Sequence, residues 1–223
     1  VPKVFFWHFY AVALVGVLGV GIGVEAFGWG GGNVRPGLVL FGMHVLKRLL
    51  EHFVLHVPRA KCSCEEGREK GSVLPLAVYV GGILHYIGAP LTFSPLIGEY
   101  EGAPEYFVVI GFIVWMLGEM LQTWGHWELA EMRRRRNSSK VYVIPDDGPF
   151  GLLSIAYPHY LGEILVYIGI TLSDGIPFLG CAAWTTSNLL VTASRGWLGY
   201  EERFGKAEWK RKGPQWVIIP EVW

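Results

Sequence analysis

The sequence predicts an all-α protein, built as a polytopic bundle of membrane-spanning helices, and three features support this. First, 52% of the 223 residues are hydrophobic and 14% are aromatic, whereas 17% are charged. Second, six apolar segments have about the length that a tilted helix needs to cross a bilayer. Third, the first of these segments is rich in glycine, which lets helices pack closely in lipid. These features argue against a soluble globular protein.

The six segments are visible at approximately residues 5–27, 36–56, 72–93, 105–129, 149–173 and 176–199. Several contain His, Glu, Lys or Arg, so they are not plain lipid-facing anchors. Long linkers and internal repeats are not visible, and we interpret residues 1–223 as a single membrane-embedded domain. Because the chain begins at Val1 without a methionine or a cleavable signal peptide, we expect a trimmed start.

The basic residues predict how the helices are oriented. If Lys3 lies in the cytosol, six spans return most Lys and Arg residues to the same side, including Arg133–Arg136 and Lys210–Lys212. The opposite side then receives Arg35. This distribution follows the positive-inside rule. We therefore expect both chain ends, and the turn that precedes the fifth segment, to face the cytosol.

Several classes of site are not expected. Cys62, Cys64 and Cys181 give no disulfide framework, and a lone Cys-Ser-Cys lacks the four ligands of a structural zinc site. The chain has no G-x-G-x-x-G after a strand, no P-loop, no G-x-S-x-G and no H-E-x-x-H. A dinucleotide would therefore bind outside a Rossmann domain, and neither a metal nor a nucleic acid is an expected partner.

The most informative polar residues lie in the fifth segment. His159 and Glu163 are four positions apart, and Tyr160 and Glu163 are three apart, so they share one helix face. Pro158 removes a backbone hydrogen bond and predicts that the helix bends or restarts there. Ionisable residues at membrane depth are costly and indicate a functional site. We interpret this face as the lining of a cavity; a polar contact between helices is the alternative.

A second polar stripe is predicted in the fourth segment. Gln122 and His126 share a face, and Arg133 lies roughly in line with them. The stripe would run from membrane depth to the cytosolic surface, so it could hold a long polar ligand end-on. A histidine satisfied within the protein interior is the alternative for His126.

The first two segments hold a third group of polar residues. His8 and Tyr10 lie near the start of the first, and Lys47, Arg48 and Glu51 lie in the second. We expect Arg48 and Glu51 to pair, because an unpaired charge at this depth is expensive. The alternatives are an aromatic belt for the first segment and a purely structural ion pair for the second.

Taken in order, these motifs resemble the steroid 5α-reductase family of membrane reductases, and within it the polyprenol reductase branch. They are VPKVFFWHFY at the start, HVLKRLLE, Gln122-x-x-x-His126 followed by Arg133, and Ile144-Pro145 through Pro158-His159-Tyr160 to Glu163. The resemblance covers nearly the whole chain. It implies an all-helical membrane domain, usually of seven spans, that holds NADPH in a cytosol-facing cavity. Residues 105–223 would form the cofactor half and residues 1–100 mainly the substrate side.

The resemblance also implies individual roles, and the chain departs from the family pattern at some positions. The residues that would contact NADPH are Gln122, His126, Arg133, Tyr142, His159, Tyr160 and Glu163. Family members usually have a histidine near the end of the last span, where this chain has Trp197 with Arg195 nearby. Steroid-reducing members have a tyrosine immediately after the residue that matches His44. This chain has Val45 there, which argues against a steroid substrate.

The implied function is reduction of the α-isoprene double bond of polyprenol or polyprenal in the endoplasmic reticulum membrane. This step belongs to dolichol synthesis and supports protein N-glycosylation. Because hydride adds to a double bond that is conjugated to an electron sink, we expect the aldehyde to be the immediate substrate. A donor to the carbonyl oxygen would stabilise the enolate, and a general acid would protonate the α-carbon. Our candidates are His8, Tyr10 and Glu51, with the isoprenoid tail between helices or in lipid.

Four other functions remain as alternatives. Two are reductases of the same family type, a steroid 5α-reductase and a trans-2-enoyl-CoA reductase. The third is an isoprenylcysteine-type methyltransferase, against which the order Pro-His-Tyr counts. The fourth is a transporter, which would require paired repeats with broken helices, and none is visible in the sequence.

Overall fold

The computed structural model describes residues 6–27, 34–56, 75–94, 102–134, 144–145 and 147–219, without the side chains of His56 and Arg133. These residues form helices and short connections. Within these ranges no β-strand is present, and one isolated bridge joins Ile155 and Trp216. The predicted all-α class is therefore confirmed.

Eight α-helices lie in the described ranges. They are α1 (Trp7–Phe27), α2 (Pro36–Glu51), α3 (Leu76–Leu91), α4 (Glu105–Arg134), α5 (Gly148–Leu153), α6 (Pro158–Asp174), α7 (Leu179–Phe204) and α8 (Lys206–Lys212). A turn of π-helix, His52–His56, extends α2, and a 3₁₀ turn, Ile176–Phe178, precedes α7. Each of the six apolar segments therefore contains helix.

The fifth apolar segment is divided between two helices. The short α5 ends at Leu153, and Ser154 then adopts a left-handed backbone with φ of 51°. The new helix α6 begins at Pro158, a favoured first residue because the N–H it lacks would have no partner inside the helix. The prediction that the helix bends or restarts at Pro158 is confirmed, and the apolar segment 149–173 is divided between α5 and α6.

Membrane-crossing length is met by two of the described helices. These are α1 and the Glu105–Met132 part of α4, and α3 is a shorter apolar helix. The remaining described helices are shorter or carry more polar residues. The expected count of six spans is therefore not confirmed by the length and composition of these helices.

The chain forms two compact units. The first consists of Val1–Phe112 with Ile170–Cys181, and the second of Ile113–Gly169 with Ala182–Trp223. In the first unit, α1 packs against α2 and α3. An aromatic group in this unit joins Phe41, Phe93 and Phe178, whose ring centroids lie 5.2 to 6.2 Å apart.

A buried ion pair fixes the start of α2 within the first unit. Arg35, which precedes Pro36, places its Nη2 atom 2.7 Å from Oδ2 of Asp174 and donates from Nε to Oδ1. Asp174 is 2% exposed. Because removing one partner of a buried pair strands the other charge, this contact strongly constrains α2.

In the second unit, α4 and α6 approach closely at two glycines. A Cβ atom at Gly118 would lie 2.7 Å from the carbonyl oxygen of Gly162, and a Cβ at Gly162 would lie 2.6 Å from the nitrogen of Gln122. Larger side chains would therefore force the helices apart. Small residues at such crossings are typical of helices packed in membranes.

The turn between α5 and α6 is held by a segment that follows α8. The carbonyl of Ser154 accepts hydrogen bonds from the amides of Gln215 and Trp216 at 2.9 Å. The amides of Ala156 and Tyr157 donate to the carbonyls of Trp216 and Val217 at 2.8 and 3.1 Å. These four bonds satisfy backbone groups that the break between the helices would otherwise leave unpaired.

Candidate functional site

The close crossing of α4 and α6 brings together polar residues that are far apart in the sequence. Gln122 is completely buried and donates from Nε2 to Oε2 of Glu163. One turn further along α4, the His126 ring lies 5.4 Å from the His159 ring, which is 4.5 Å from the Tyr160 ring. We call these five residues the α4/α6 wall. The structure thus assembles five of the seven side chains predicted to contact the cofactor.

The other two predicted contacts lie outside the described residues. The side chain of Arg133 and the whole of Tyr142 are among them. The neighbouring Arg134 is described; its guanidinium lies 5.6 Å from the Trp127 ring centroid, with Nη1 3.8 Å from Glu131. The predicted polar stripe on α4 is therefore described from Gln122 to His126.

The α4/α6 wall combines the two interpretations of its polar residues. The bond between Gln122 and Glu163 is a polar contact between helices, as the alternative interpretation expected. His126, His159 and Tyr160 are half-buried, so part of each ring remains accessible. The hydrogen-bonded pair therefore fixes one end of the wall, and the half-buried rings are the groups able to meet a ligand.

An aromatic group that the sequence interpretation missed adjoins the wall. The Tyr157 ring stacks on Tyr160, with centroids 5.2 Å apart and an interplanar angle of 11°. Tyr200 lies 6.4 Å from Tyr157 and stacks on Trp209 at 4.7 Å. Tyr157 directly precedes the Pro-His-Tyr motif, and this position was the one signal that could have identified it.

The Tyr157 hydroxyl is buried, and it has no hydrogen-bond partner within the described part of the chain. It occupies the space that a Cβ atom at Gly196 of α7 would need. A buried hydroxyl without a partner costs about 1–3 kcal/mol. This group is therefore one whose hydrogen bond a ligand could complete.

The residues near the missing family histidine have other contacts. Trp197 donates from Nε1 to Oε1 of Glu201 at 3.2 Å, and its ring packs edge-on against Trp209 at 5.0 Å. Arg195 is exposed. Trp197 stands where the family usually has a histidine, and in this chain it packs within the second unit.

A second polar group lies in the first unit and contains two of the three predicted catalytic residues. Arg48 donates from Nη2 to the Tyr10 hydroxyl at 3.0 Å and from Nη1 to Oε2 of Glu51 at 2.9 Å. Lys47 lies 3.7 Å from Oε1 of Glu51. We call these four residues the Arg48 cluster. The predicted pairing of Arg48 with Glu51 is confirmed.

His8, the third predicted catalytic residue, has a different described partner. Its Nδ1 atom lies 2.9 Å from the hydroxyl of Tyr79 on α3. One face of α3 also presents Tyr86, whose ring packs edge-on against Tyr10 at 5.7 Å. The sequence interpretation missed both tyrosines, although their spacing of seven residues places them on one helix face.

Comparison of the sequence with known proteins identifies a family. The sequence profile described as 3-oxo-5-alpha-steroid 4-dehydrogenase matches residues 85–223, which is more than half of the chain and includes the α4/α6 wall. The chain is 26% identical over 174 residues to Polyprenal reductase 2 of Arabidopsis thaliana, covering 62% of this chain and 46% of that protein. With Polyprenal reductase 1 of the same plant it shares 25% identity over 227 residues, covering 78% and 67%.

A third relative has no assigned activity. An uncharacterized protein of Schizosaccharomyces pombe is 28% identical over 193 residues, covering 77% of this chain and 61% of that protein. The chain thus spans about half to two thirds of the length of these relatives. Because the matched profile covers α4 to α8 and most of the candidate site, the chain belongs to the 3-oxo-5-alpha-steroid 4-dehydrogenase family, that of the steroid 5α-reductases.

Proposed function

We propose that the protein is a membrane-embedded reductase that uses NADPH to saturate the α-isoprene double bond of a polyprenal. The observation that carries this proposal is the α4/α6 wall. Its five polar residues come from two helices, meet at one place, and lie within the region that the family profile matches. The relatives named polyprenal reductases support an isoprenoid aldehyde as substrate.

The residues of the second unit fit a nicotinamide dinucleotide. Such a cofactor has planar heteroaromatic rings and many hydrogen-bond acceptors. The half-buried rings of His126, His159 and Tyr160 offer stacking surfaces. The buried Tyr157 hydroxyl, without a partner among the described residues, can donate to an acceptor on the cofactor. We assign Arg133 and Tyr142 to the phosphate and ribose end, where a guanidinium would bind phosphate oxygens.

The Arg48 cluster is suited to holding an aldehyde oxygen. The Tyr10 oxygen accepts a hydrogen bond from Arg48, so the guanidinium fixes the position of this hydroxyl. The guanidinium carbon of Arg48 lies 5.3 Å from the Tyr10 ring centroid. Glu51 holds Arg48 from the other side. We therefore assign Tyr10 to the substrate oxygen and Glu51 to the positioning of Arg48.

We assign one part of the reduction to each of these groups. When bound, NADPH supplies the hydride that adds to the β-carbon of the conjugated aldehyde. The Tyr10 hydroxyl stabilises the negative charge that develops on the carbonyl oxygen, as donors in oxyanion sites do. We assign His8, held by Tyr79, to delivery of the proton to the α-carbon, which gives the saturated aldehyde.

We further propose a multi-pass location in the endoplasmic reticulum membrane, with the cofactor entering from the cytosol. The two apolar helices α1 and α4 fit insertion into a membrane. The positive-inside distribution of Lys and Arg supports a cytosolic position for the Arg133–Arg136 run. In this setting the product would feed dolichol synthesis and thereby protein N-glycosylation.

A ligand-dependent thermal shift tests the proposed cofactor. We expect NADPH to raise the unfolding midpoint of the purified protein, because a ligand at 100 times its Kd stabilises the native state by about 2.7 kcal/mol. S-adenosylmethionine serves as the control for a methyltransferase. The combined variant His159→Ala, Glu163→Ala should lose the NADPH shift, and retention of normal NADPH affinity would overturn the assignment of the α4/α6 wall.

A substrate comparison tests the reaction. The protein with NADPH is offered polyprenal, polyprenol and a 3-oxo-4-ene steroid in separate assays. We expect reduction of polyprenal, because its double bond is conjugated to a carbonyl. Efficient reduction of polyprenol without an oxidant would contradict the aldehyde mechanism. If the protein reduces the steroid faster than polyprenal, the substrate would be assigned as a steroid, and Val45 would not exclude steroids.

A further inference from the structure

A long apolar groove runs between α1 and α2 on the surface of the first unit. Its volume is about 550 Å³, and its lining includes Leu14, Val17, Gly21, Ile22 and Met43. Ile22 and Met43 are more than half exposed. Glu25 is the one charged residue among the described residues of the lining, which is otherwise apolar apart from glycines. This surface is suited to a hydrocarbon chain.

Two glycines give the groove its depth. A Cβ atom at Gly21 would meet nothing within 4 Å, so the space above this residue is open. On the facing helix, a Cβ at Gly42 would lie 3.1 Å from Cγ1 of Val17, so the glycine lets α1 and α2 approach there. The groove is therefore a channel between two closely packed helices, with open space above α1.

One end of the groove adjoins the Arg48 cluster. Leu14, at this end, is one helical turn from Tyr10, and Leu46 on α2 directly precedes Lys47. The opposite end is marked by Glu25. From Leu14 to Glu25 the helix rises roughly 16 Å, at about 1.5 Å per residue. A molecule with a polar head at Tyr10 would thus have its tail directed along the groove.

We propose that this α1/α2 groove binds the first isoprene units of the substrate tail. This inference rests on the proposed function, because it requires that the aldehyde group lie at Tyr10. Lipid is as apolar as the groove, so transfer of the tail from the bilayer gains little hydrophobic free energy. The groove acts by orienting the chain, which holds the double bond in a reactive position. The groove opens along its length, so the tail enters sideways from the bilayer.

A pair of glycine variants tests the groove by kinetics. Gly21→Trp fills the groove, whereas Gly19→Trp adds the same side chain to the same helix at another open position outside the lining. With long-chain polyprenal we expect kcat/KM of Gly21→Trp to fall about tenfold, equivalent to about 1.4 kcal/mol. With citral, whose tail is a single further isoprene unit, both variants should stay within about twofold of wild type.

Three kinetic outcomes would overturn the inference. The first is an unchanged kcat/KM of Gly21→Trp with long-chain polyprenal. The second is an equal fall in kcat/KM in the two variants, and the third is an equal fall with polyprenal and with citral. A folding defect is detected separately, because it would lower the unfolding midpoint of Gly21→Trp relative to Gly19→Trp and would reduce citral turnover as well.

Photo-crosslinking tests binding without turnover. A polyprenal analogue with a diazirine in its second isoprene unit is irradiated with the protein in phospholipid vesicles. We expect labelled peptides from α1 and α2 that include Leu14 or Met43, and loss of this labelling in Gly21→Trp. Equal labelling by a phospholipid with a diazirine in its acyl chain would show that the groove holds ordinary lipid and would overturn the proposal. If wild type is labelled but reduces neither aldehyde, the proposed reaction fails while the groove assignment stands.

Discussion

The two polar sites of the molecule satisfy their groups in different ways. In the Arg48 cluster, charged side chains neutralise one another, since Glu51 contacts both Arg48 and Lys47 and Arg48 also reaches Tyr10. The α4/α6 wall is built from imidazole and phenol rings and one carboxylate that an amide holds. Because the charges of the Arg48 cluster neutralise one another, this cluster suits an uncharged head group in lipid. Half-buried rings beside a buried hydroxyl without a described partner suit a large polar cofactor.

The largest expected effect comes from opening the Arg48 cluster. Glu51→Ala leaves two cations beside a nearly buried position, and breaking a buried pair in this way costs about 3–5 kcal/mol. We expect a marked fall in the unfolding midpoint and loss of polyprenal reduction. Glu202→Ala, at an exposed position on α7, is the control and should leave both unchanged. An unaltered midpoint for Glu51→Ala would show that the ion pairs of Glu51 with Arg48 and Lys47 do not stabilise the fold.

A smaller effect is expected when the pair in the α4/α6 wall is broken. Gln122→Leu removes the amide that donates to Glu163, at a cost of about 1–3 kcal/mol. The measurement is a double-mutant cycle of unfolding free energies with Gln122→Leu, Glu163→Leu and their combination. Contacting residues couple by about 0.5–3 kcal/mol, and additive losses would contradict the described bond. NADPH affinity should fall in both single variants.

Tyr157→Phe is expected to separate stability from cofactor binding. Phenylalanine keeps the stacking on Tyr160 but removes the buried hydroxyl, so the protein without cofactor should be as stable as wild type or slightly more stable. NADPH affinity should fall about fivefold, which corresponds to about 1 kcal/mol for one hydrogen bond. Equal NADPH affinity in calorimetric titrations would remove the hydroxyl from the cofactor site.

Two α7 variants provide the matched control for that test. Gly196→Ala places a methyl group where the Tyr157 hydroxyl lies, whereas a Cβ atom at Gly199 meets nothing within 4 Å. Both changes raise helix propensity equally. A drop in NADPH affinity in Gly196→Ala but not in Gly199→Ala is the expected result.

The smallest effect on stability is expected from Glu208→Gln, in an exposed ion pair on α8. Glu208 and Lys212 form an i,i+4 pair like Glu51 and Lys47, with a 2.9 Å contact on the surface of α8. The hydrogen bond from Lys212 lowers the pKa of Glu208, so any stabilisation is present above the usual pKa of a glutamate and disappears as the pH falls through its lowered value. Because water screens exposed pairs, Glu208→Gln should not measurably shift the midpoint at pH 7. A shift as large as that of Glu51→Ala would contradict the contrast between the sites.

Local spacing predicted the parts of these sites that lie on one helix. Arg48 and Glu51 are three residues apart, and their pairing follows from helix geometry together with the cost of an isolated charge. Pro158 restarts α6 because proline lacks the N–H that a helix interior needs. The all-α class followed from apolar segments of suitable length.

Contacts between distant segments were not predictable from spacing. His8 and Tyr79 are 71 positions apart, and Gln122 and Glu163 are 41 apart, so their meeting depends on which helices pack together. The stacking of Tyr157 on Tyr160 depends on a turn fixed by hydrogen bonds from beyond α8. Tertiary packing decides such contacts, and a single sequence contains no periodic signal for them.

The backbone pairing of Ser154 with Gln215 and Trp216 has a consequence for biosynthesis. The turn that presents Tyr157 is synthesised before α6, but the amides that hold it are made after α7 and α8. Chains grow from the N-terminus, so α6 leaves the ribosome before its preceding turn can close. A nascent chain that stops at Gly213 therefore contains the sequence of every described helix but lacks the residues that close the turn before α6.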